Sequence, residues 1–124
     1  MWKFINGRIK SIGYAIKGAV LLVKTEHSII AQLCVFLFLT ILGLVFDISK
    51  QDWIDQILAM GLVLSVEGLN TAAEKLADFV HLENHPKIGF IKDISAGAVT
   101  FAALSCSIVI FLIYYPYFKD CFGL

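Results

Sequence analysis

The run "SIIAQLCVFLFLTILGLVF" at residues 28–46 holds nineteen consecutive residues without a charge. That is close to the roughly 20 apolar residues that a helix needs to cross a bilayer. Two further segments are apolar and long enough to cross. One runs from Trp53 to about Ala77, and the other is "ISAGAVTFAALSCSIVIFLIYY" at 94–115. In a chain of 124 residues, the three segments take up more than half of the sequence. The apolar share of 59% exceeds the roughly 45–50% of a soluble domain, and the mean hydropathy of +0.82 points the same way. The sequence therefore predicts an all-α integral membrane protein with spans at 28–46, 53–77 and 94–115, forming one domain over 1–124.

Ten basic and ten acidic residues cancel, so information lies in their placement. Lys3, Arg8, Lys10, Lys17 and Lys24 precede the first span, and Lys75, Lys87 and Lys92 surround the turn between the second and third. Lys50 and Lys119 fall on the opposite side. Cationic loops stay in the cytoplasm, which places the N-terminus and the second turn inside and the C-terminus outside the inner membrane. The first 27 residues are basic and lack a cleavable apolar core, so no signal peptide is expected. Cys34, Cys106 and Cys121 have no metal-ligand spacing.

Lys3, Lys10, Lys17 and Lys24 recur every seven residues, which draws one basic stripe along a helix. Ile5, Ile9, Ile12, Ile16, Val20 and Val23 occupy the opposite face. With Trp2 and Phe4 at its start, 1–27 reads as an amphipathic helix and hinge lying in the interface. A cytoplasmic helix packed on a partner protein is the other reading. The hinge is expected at "TEHS", 25–28, and carries Glu26, the only acidic residue before position 47.

Within the second span, Glu67, Asn70, Glu74 and Asp78 interrupt an apolar pattern. Ionisable groups at membrane depth are costly and commonly functional. With Trp53 as the outer anchor, Glu67 lies roughly 21 Å deeper and Glu74 roughly 31 Å deeper. Helical phase sets Asn70 at about −60°, Glu74 at about −20° and Asp78 at about +20° from Glu67. The four share one face. Glu26 and the pair Lys92–Asp93 reach the same cytoplasmic level from the other spans. Carboxylates at a water-facing boundary suit Mg²⁺ with nucleotide phosphates. Lys92 suits phosphate charge and Asp93 a ribose or adenine donor. Glu67, at the acyl boundary, suits a general base for a lipid hydroxyl.

Blander roles stand beside these. Asp93 can cap the third span while Lys92 snorkels; Asn70 can join helices by hydrogen bonding; Asp78 can simply be solvated. His27, His81 and His85 lack mutual ligand spacing. The chain has no G-x-x-x-x-G-K-[ST] loop or protein-kinase motif set, so nucleotide use would follow another scheme. Nothing suggests a nucleic-acid partner. Three short spans enclose little space, which points to a homo-oligomer with sites between subunits.

The pieces "GYAIKG" (13–18), "KTEH" (24–27), "EGLNTAAE" (67–74) with Asp78, "ENHP" (83–86) and "KDISAGAV" (92–99) resemble the small prokaryotic diacylglycerol kinases and the related undecaprenol kinases. The resemblance implies an ATP- and Mg²⁺-dependent lipid kinase, a homotrimer with a surface helix and three spans per subunit. It implies that Glu67 is the general base, that Glu26 and Glu74 hold the metal, and that Asn70 helps place the reacting groups. It implies nucleotide contacts from Lys92, Asp93, Tyr14, Glu83, Asn84 and His85, with Asp78 beside them. The early basic site residue of the family corresponds to Arg8 or to Lys10. Diacylglycerol is the first expected acceptor. Undecaprenol is the alternative, because "HLENHPKIGFIKD", "NTA" and "SAGAV" look more like that branch. A small ion-coupled transporter using Glu67, and a non-catalytic membrane adaptor, are remoter alternatives.

Overall fold

In the computed structural model, residues 1–81 and 85–123 are described, and they form four helices. These are α1 (Trp2–Thr25), α2 (His27–Phe46), α3 (Lys50–Val80) and α4 (Pro86–Phe122). The last three are long and apolar enough to cross a membrane. At 1.5 Å per residue, α3 and α4 reach about 46 Å and 55 Å, well beyond a hydrocarbon core of about 30 Å. Both therefore carry helical backbone past the bilayer edge.

The helix ends differ from those expected from hydropathy, for local reasons. The hinge is one residue, not four. Thr25 still belongs to α1, the Glu26 N–H donates to Leu22 O at 3.0 Å, and only Glu26 leaves helical geometry before α2 starts. At the far end of α2, Asp47 adopts the left-handed conformation (φ 48°), which short polar side chains tolerate. Its neighbour Ile48 donates to Gly43 O at 3.1 Å, closing the helix end. Ser49 then caps α3 with a reciprocal box: its Oγ accepts from Asp52 N at 3.1 Å, and Ser49 N donates to Asp52 Oδ2 at 3.3 Å. That box starts α3 three residues before the expected span.

The largest displacement is at α4. The third span was expected to begin at 94, with a cap as the blander of two roles for Asp93. The helix instead begins at Pro86, with His85 as its cap and His85 Nδ1 accepting from Lys87 N at 3.2 Å. Proline is well suited to the first helical position, where its missing N–H costs nothing. Asp93 therefore lies two turns inside a helix and does not cap it. Hydropathy marks where a helix enters lipid; it does not mark where the helix starts.

α3 and α4 form the most extensive pairing, with α2 alongside. Leu39, Ile48, Met60, Val63, Ala102, Cys106, Ile113 and Tyr114 make one buried cluster. Gly43 is required where α2 meets the following turn, because a β-carbon there would sit 2.9 Å from the Trp53 ring. Phe46 stacks edge-on against Phe118 at 4.9 Å between ring centres. Most other large apolar side chains face outward, among them Phe38, Leu44, Phe101 and Phe111. So large an apolar exterior suits lipid or neighbouring subunits.

A buried polar lock ties the helices together toward the α2–α3 turn. The Tyr114 hydroxyl lies 2.8 Å from Leu39 O and 2.7 Å from Oε1 of fully buried Gln56. Three helices thus share one hydroxyl. Tyr114→Phe removes the hydroxyl that links the two oxygens and is expected to cost about 1–2 kcal/mol, seen as a lower thermal midpoint in detergent.

Candidate active site

α3 is a single unbroken helix across Glu67–Asp78, so the common face inferred from phase is retained. Glu67, Asn70 and Glu74 are half-buried and Asp78, nearest the end of α3, is exposed. From Glu67 to Glu74 is about 10.5 Å along the axis.

Asn70 Nδ2 donates to Glu74 Oε1 at 3.1 Å, one turn along α3. The Asn70 amide oxygen is buried and has no hydrogen-bond partner among the described residues. The orientation makes chemical sense, since turning the amide would set its oxygen against a carboxylate. Asn70 thus fixes the Glu74 carboxylate and leaves an acceptor beside it. Lys92 Nζ lies 2.5 Å from Asp78 Oδ1, joining α4 to the end of α3. The two residues were expected at one level; the structure makes them an ion pair. Because both are substantially exposed, the pair contributes little to stability. It sets the Lys92 ammonium at the Asp78 end of the α3 face.

Glu26, at the α1–α2 break, accepts from Lys75 Nζ at 3.0 Å and from Thr25 Oγ1 at 2.8 Å, both on Oε1. The Lys75 ammonium, then the Thr25 hydroxyl, hold its carboxyl below the ordinary glutamate value. A lowered folded-state value means that the tie stabilises the fold above the ordinary value and is lost as pH falls through the lowered one. The thermal midpoint of Lys75→Met is accordingly expected to lie below wild type at neutral pH. That gap should close well below the ordinary glutamate range.

α1 crosses α3 where Gly68 removes a side chain: a β-carbon there would approach Leu22 Cδ1 to 3.1 Å. Leu22 is the one residue of α1, among those described, that is not exposed. A groove of about 400 Å³ lies along this crossing, lined by Gly18, Leu21, Thr25, Thr71 and Lys75 among others.

The structure thus ties Asn70 to Glu74, Lys92 to Asp78, and Glu26 to the residue after Glu74. Among the described residues, no hydrogen bond or ion pair joins Tyr14, Glu67 or Asp93 to these groups. Tyr14 is 71% exposed on α1, and Asp93 is exposed on α4. Arg8 stacks its guanidinium over Phe4 at 5.1 Å, while Lys10 is exposed. His85 is the α4 cap, and its ring centre lies 5.3 Å from that of His81. Glu83 and Asn84 lie outside the described residues. Among the described residues, no group of three His, Cys, Asp or Glu side chains is arranged to hold a metal. Sequence reasoning overlooked Lys75, counted there only as a cytoplasmic charge. Its place one residue after Glu74, at the level of Glu26, was the available signal.

The sequence pattern of the prokaryotic diacylglycerol kinase family matches residues 13–114. The chain belongs to that family. It is also 33% identical over 113 residues to the undecaprenol kinase of Bacillus subtilis (strain 168), covering 90% of this chain and 91% of that protein. The chain is thus a lipid kinase. The matched region of the kinase takes in the α3 ladder, the Glu26 break, and Lys92–Asp93.

Proposed function

We propose that this kinase transfers the γ-phosphate of ATP to the hydroxyl of a membrane lipid at the cytoplasmic face, with Mg²⁺. The observation that carries this reading is the α3 ladder, running from half-buried Glu67 to exposed Asp78, with Lys92 at its Asp78 end. One end suits a lipid alcohol at the acyl boundary. The other suits a soluble, polyanionic donor.

Glu67 acts as general base, taking the proton from the lipid hydroxyl as its oxygen attacks the γ-phosphorus, while the bond from that phosphorus to the bridging oxygen breaks and ADP leaves. Lys92 neutralises phosphate charge, and Asp93 accepts from the sugar or base. Tyr14, His85, Glu83 and Asn84 complete the nucleotide contacts, with Asp78 fixing Lys92. Asn70 orients Glu74. The donor set fits Mg²⁺: its atoms are all oxygens, and the orphaned Asn70 Oδ1 beside Glu74 is an unused acceptor. Glu26 and Glu74 would hold the ion. When bound, it supplies neutralisation of the charge that builds on the phosphate oxygens.

The working form is a homotrimer with sites between subunits. This is supported by the outward-facing apolar surface and by the wide spread of the candidate residues within one chain. α1 lies in the cytoplasmic interface with its lysine stripe toward the headgroups and water. The N-terminus is cytoplasmic and the C-terminus outside, in a bacterial inner membrane.

Diacylglycerol is the first acceptor considered, with phosphatidic acid as product. Undecaprenol is the second, supported by the Bacillus subtilis relative and by the 81–93 sequence. Purified kinase offered both lipids in parallel with Mg²⁺-ATP, and the phosphorylated product identified by mass, separates them. Phosphatidic acid alone supports the first, undecaprenyl phosphate alone the second, and neither product overturns the reading.

A further inference from the structure

Lys75 has no role in the chemistry above, yet it touches one proposed metal ligand and directly follows the other. Its Nζ lies 3.0 Å from Glu26 Oε1, and its side chain is 65% exposed against 20% for Glu26. On α3 it stands about 100° around from Glu74, off the ladder face. There it lines the mouth of the groove beneath α1, with Thr25 and Thr71. Lys92, the other lysine at this level, already has Asp78.

We propose that Lys75 is an exchangeable counter-ion, which holds Glu26 in the nucleotide-free kinase and moves to nucleotide phosphate when Glu26 takes the metal. The inference rests on Glu26 being a metal ligand. The Lys75 ammonium and the Thr25 hydroxyl both sit on Oε1, and a divalent cation taken by the same carboxylate would stand close to the ammonium and be repelled by it. The ammonium is the partner able to leave. It sits on a flexible four-carbon stem, and its exposure gives it water to enter. An arriving triphosphate offers new negative charge beside Glu74 and compensates for the lost bridge. Lys75 therefore opposes metal binding to the empty site and favours it once nucleotide is present.

That reversal of sign is the test. Mn²⁺ binding to the full-length kinase in detergent is measured by electron paramagnetic resonance, with and without a non-hydrolysable ATP analogue. Lys75→Met is expected to tighten Mn²⁺ binding without nucleotide by roughly fivefold and to weaken it with the analogue by roughly fivefold. Lys75→Arg keeps the charge and stays near wild type in both. A shift in the same direction in both conditions, or no shift in either, overturns the proposal and leaves Lys75 as a tether of the α1–α2 break. Glu26→Gln separates the two readings: unchanged Mn²⁺ binding in that variant removes Glu26 as a ligand, whatever Lys75 does.

Discussion

Glu67→Gln is expected to abolish lipid phosphorylation to within background while leaving nucleotide binding near wild type. Gln has the same shape and hydrogen-bonding reach but cannot take a proton at neutral pH. General-base contributions run at about 10²–10⁴-fold, or about 3–5 kcal/mol of barrier. The fold should not notice the change, because Glu67 is half-buried and, among the described residues, bonded to no other candidate residue. Initial rates of product formation, set beside the affinity for an ATP analogue, check it. Full phosphorylation by the variant removes Glu67 as base. A parallel loss of nucleotide binding would place Glu67 at the donor end of the ladder, not the acceptor end.

The second large effect falls on Glu74. Glu74→Ala deletes a proposed metal ligand and strips Asn70 of its 3.1 Å partner. The Mg²⁺ concentration for half-maximal rate is expected to rise by about a hundredfold or more. Asn70→Ala, which removes only the orienting amide, is expected to fall within the roughly 10–100-fold seen for residues that position a ligand. The order of the two effects matters more than their size. If Asn70→Ala raised the Mg²⁺ requirement more than Glu74→Ala, the roles assigned to the pair would have to be exchanged. Metal titrations of the rate at saturating ATP distinguish the cases.

Much of this architecture was legible in the residues. Three apolar segments of membrane length, two of them free of charge, set the spans, and the seven-residue lysine period set α1 as a helix. Phase alone aligned Glu67, Asn70, Glu74 and Asp78, because an uninterrupted helix has no other arrangement to offer. The helix ends were less legible. Ser49, Asp52 and the His85–Pro86 step are local backbone devices in polar segments, to which hydropathy is blind, so α3 and α4 begin earlier than the spans they carry. Asp93 was misread as a possible cap for that reason. The Lys75–Glu26 bridge and the Tyr114–Gln56–Leu39 lock escaped notice for another. Each joins residues 49 or more positions apart, or helices whose relative rotation no single-helix pattern contains.

The coupling of a soluble donor to a lipid acceptor is tested most directly by following one phosphate. ATP labelled at the γ-position is supplied with Mg²⁺ and lipid to the purified kinase. Label leaving ATP and label entering the organic phase are then counted together. Equal amounts are expected at every time point, with no loss from ATP when lipid is omitted. Label released as inorganic phosphate without lipid product, or ATP left intact while lipid is present, would contradict transfer along the α3 ladder.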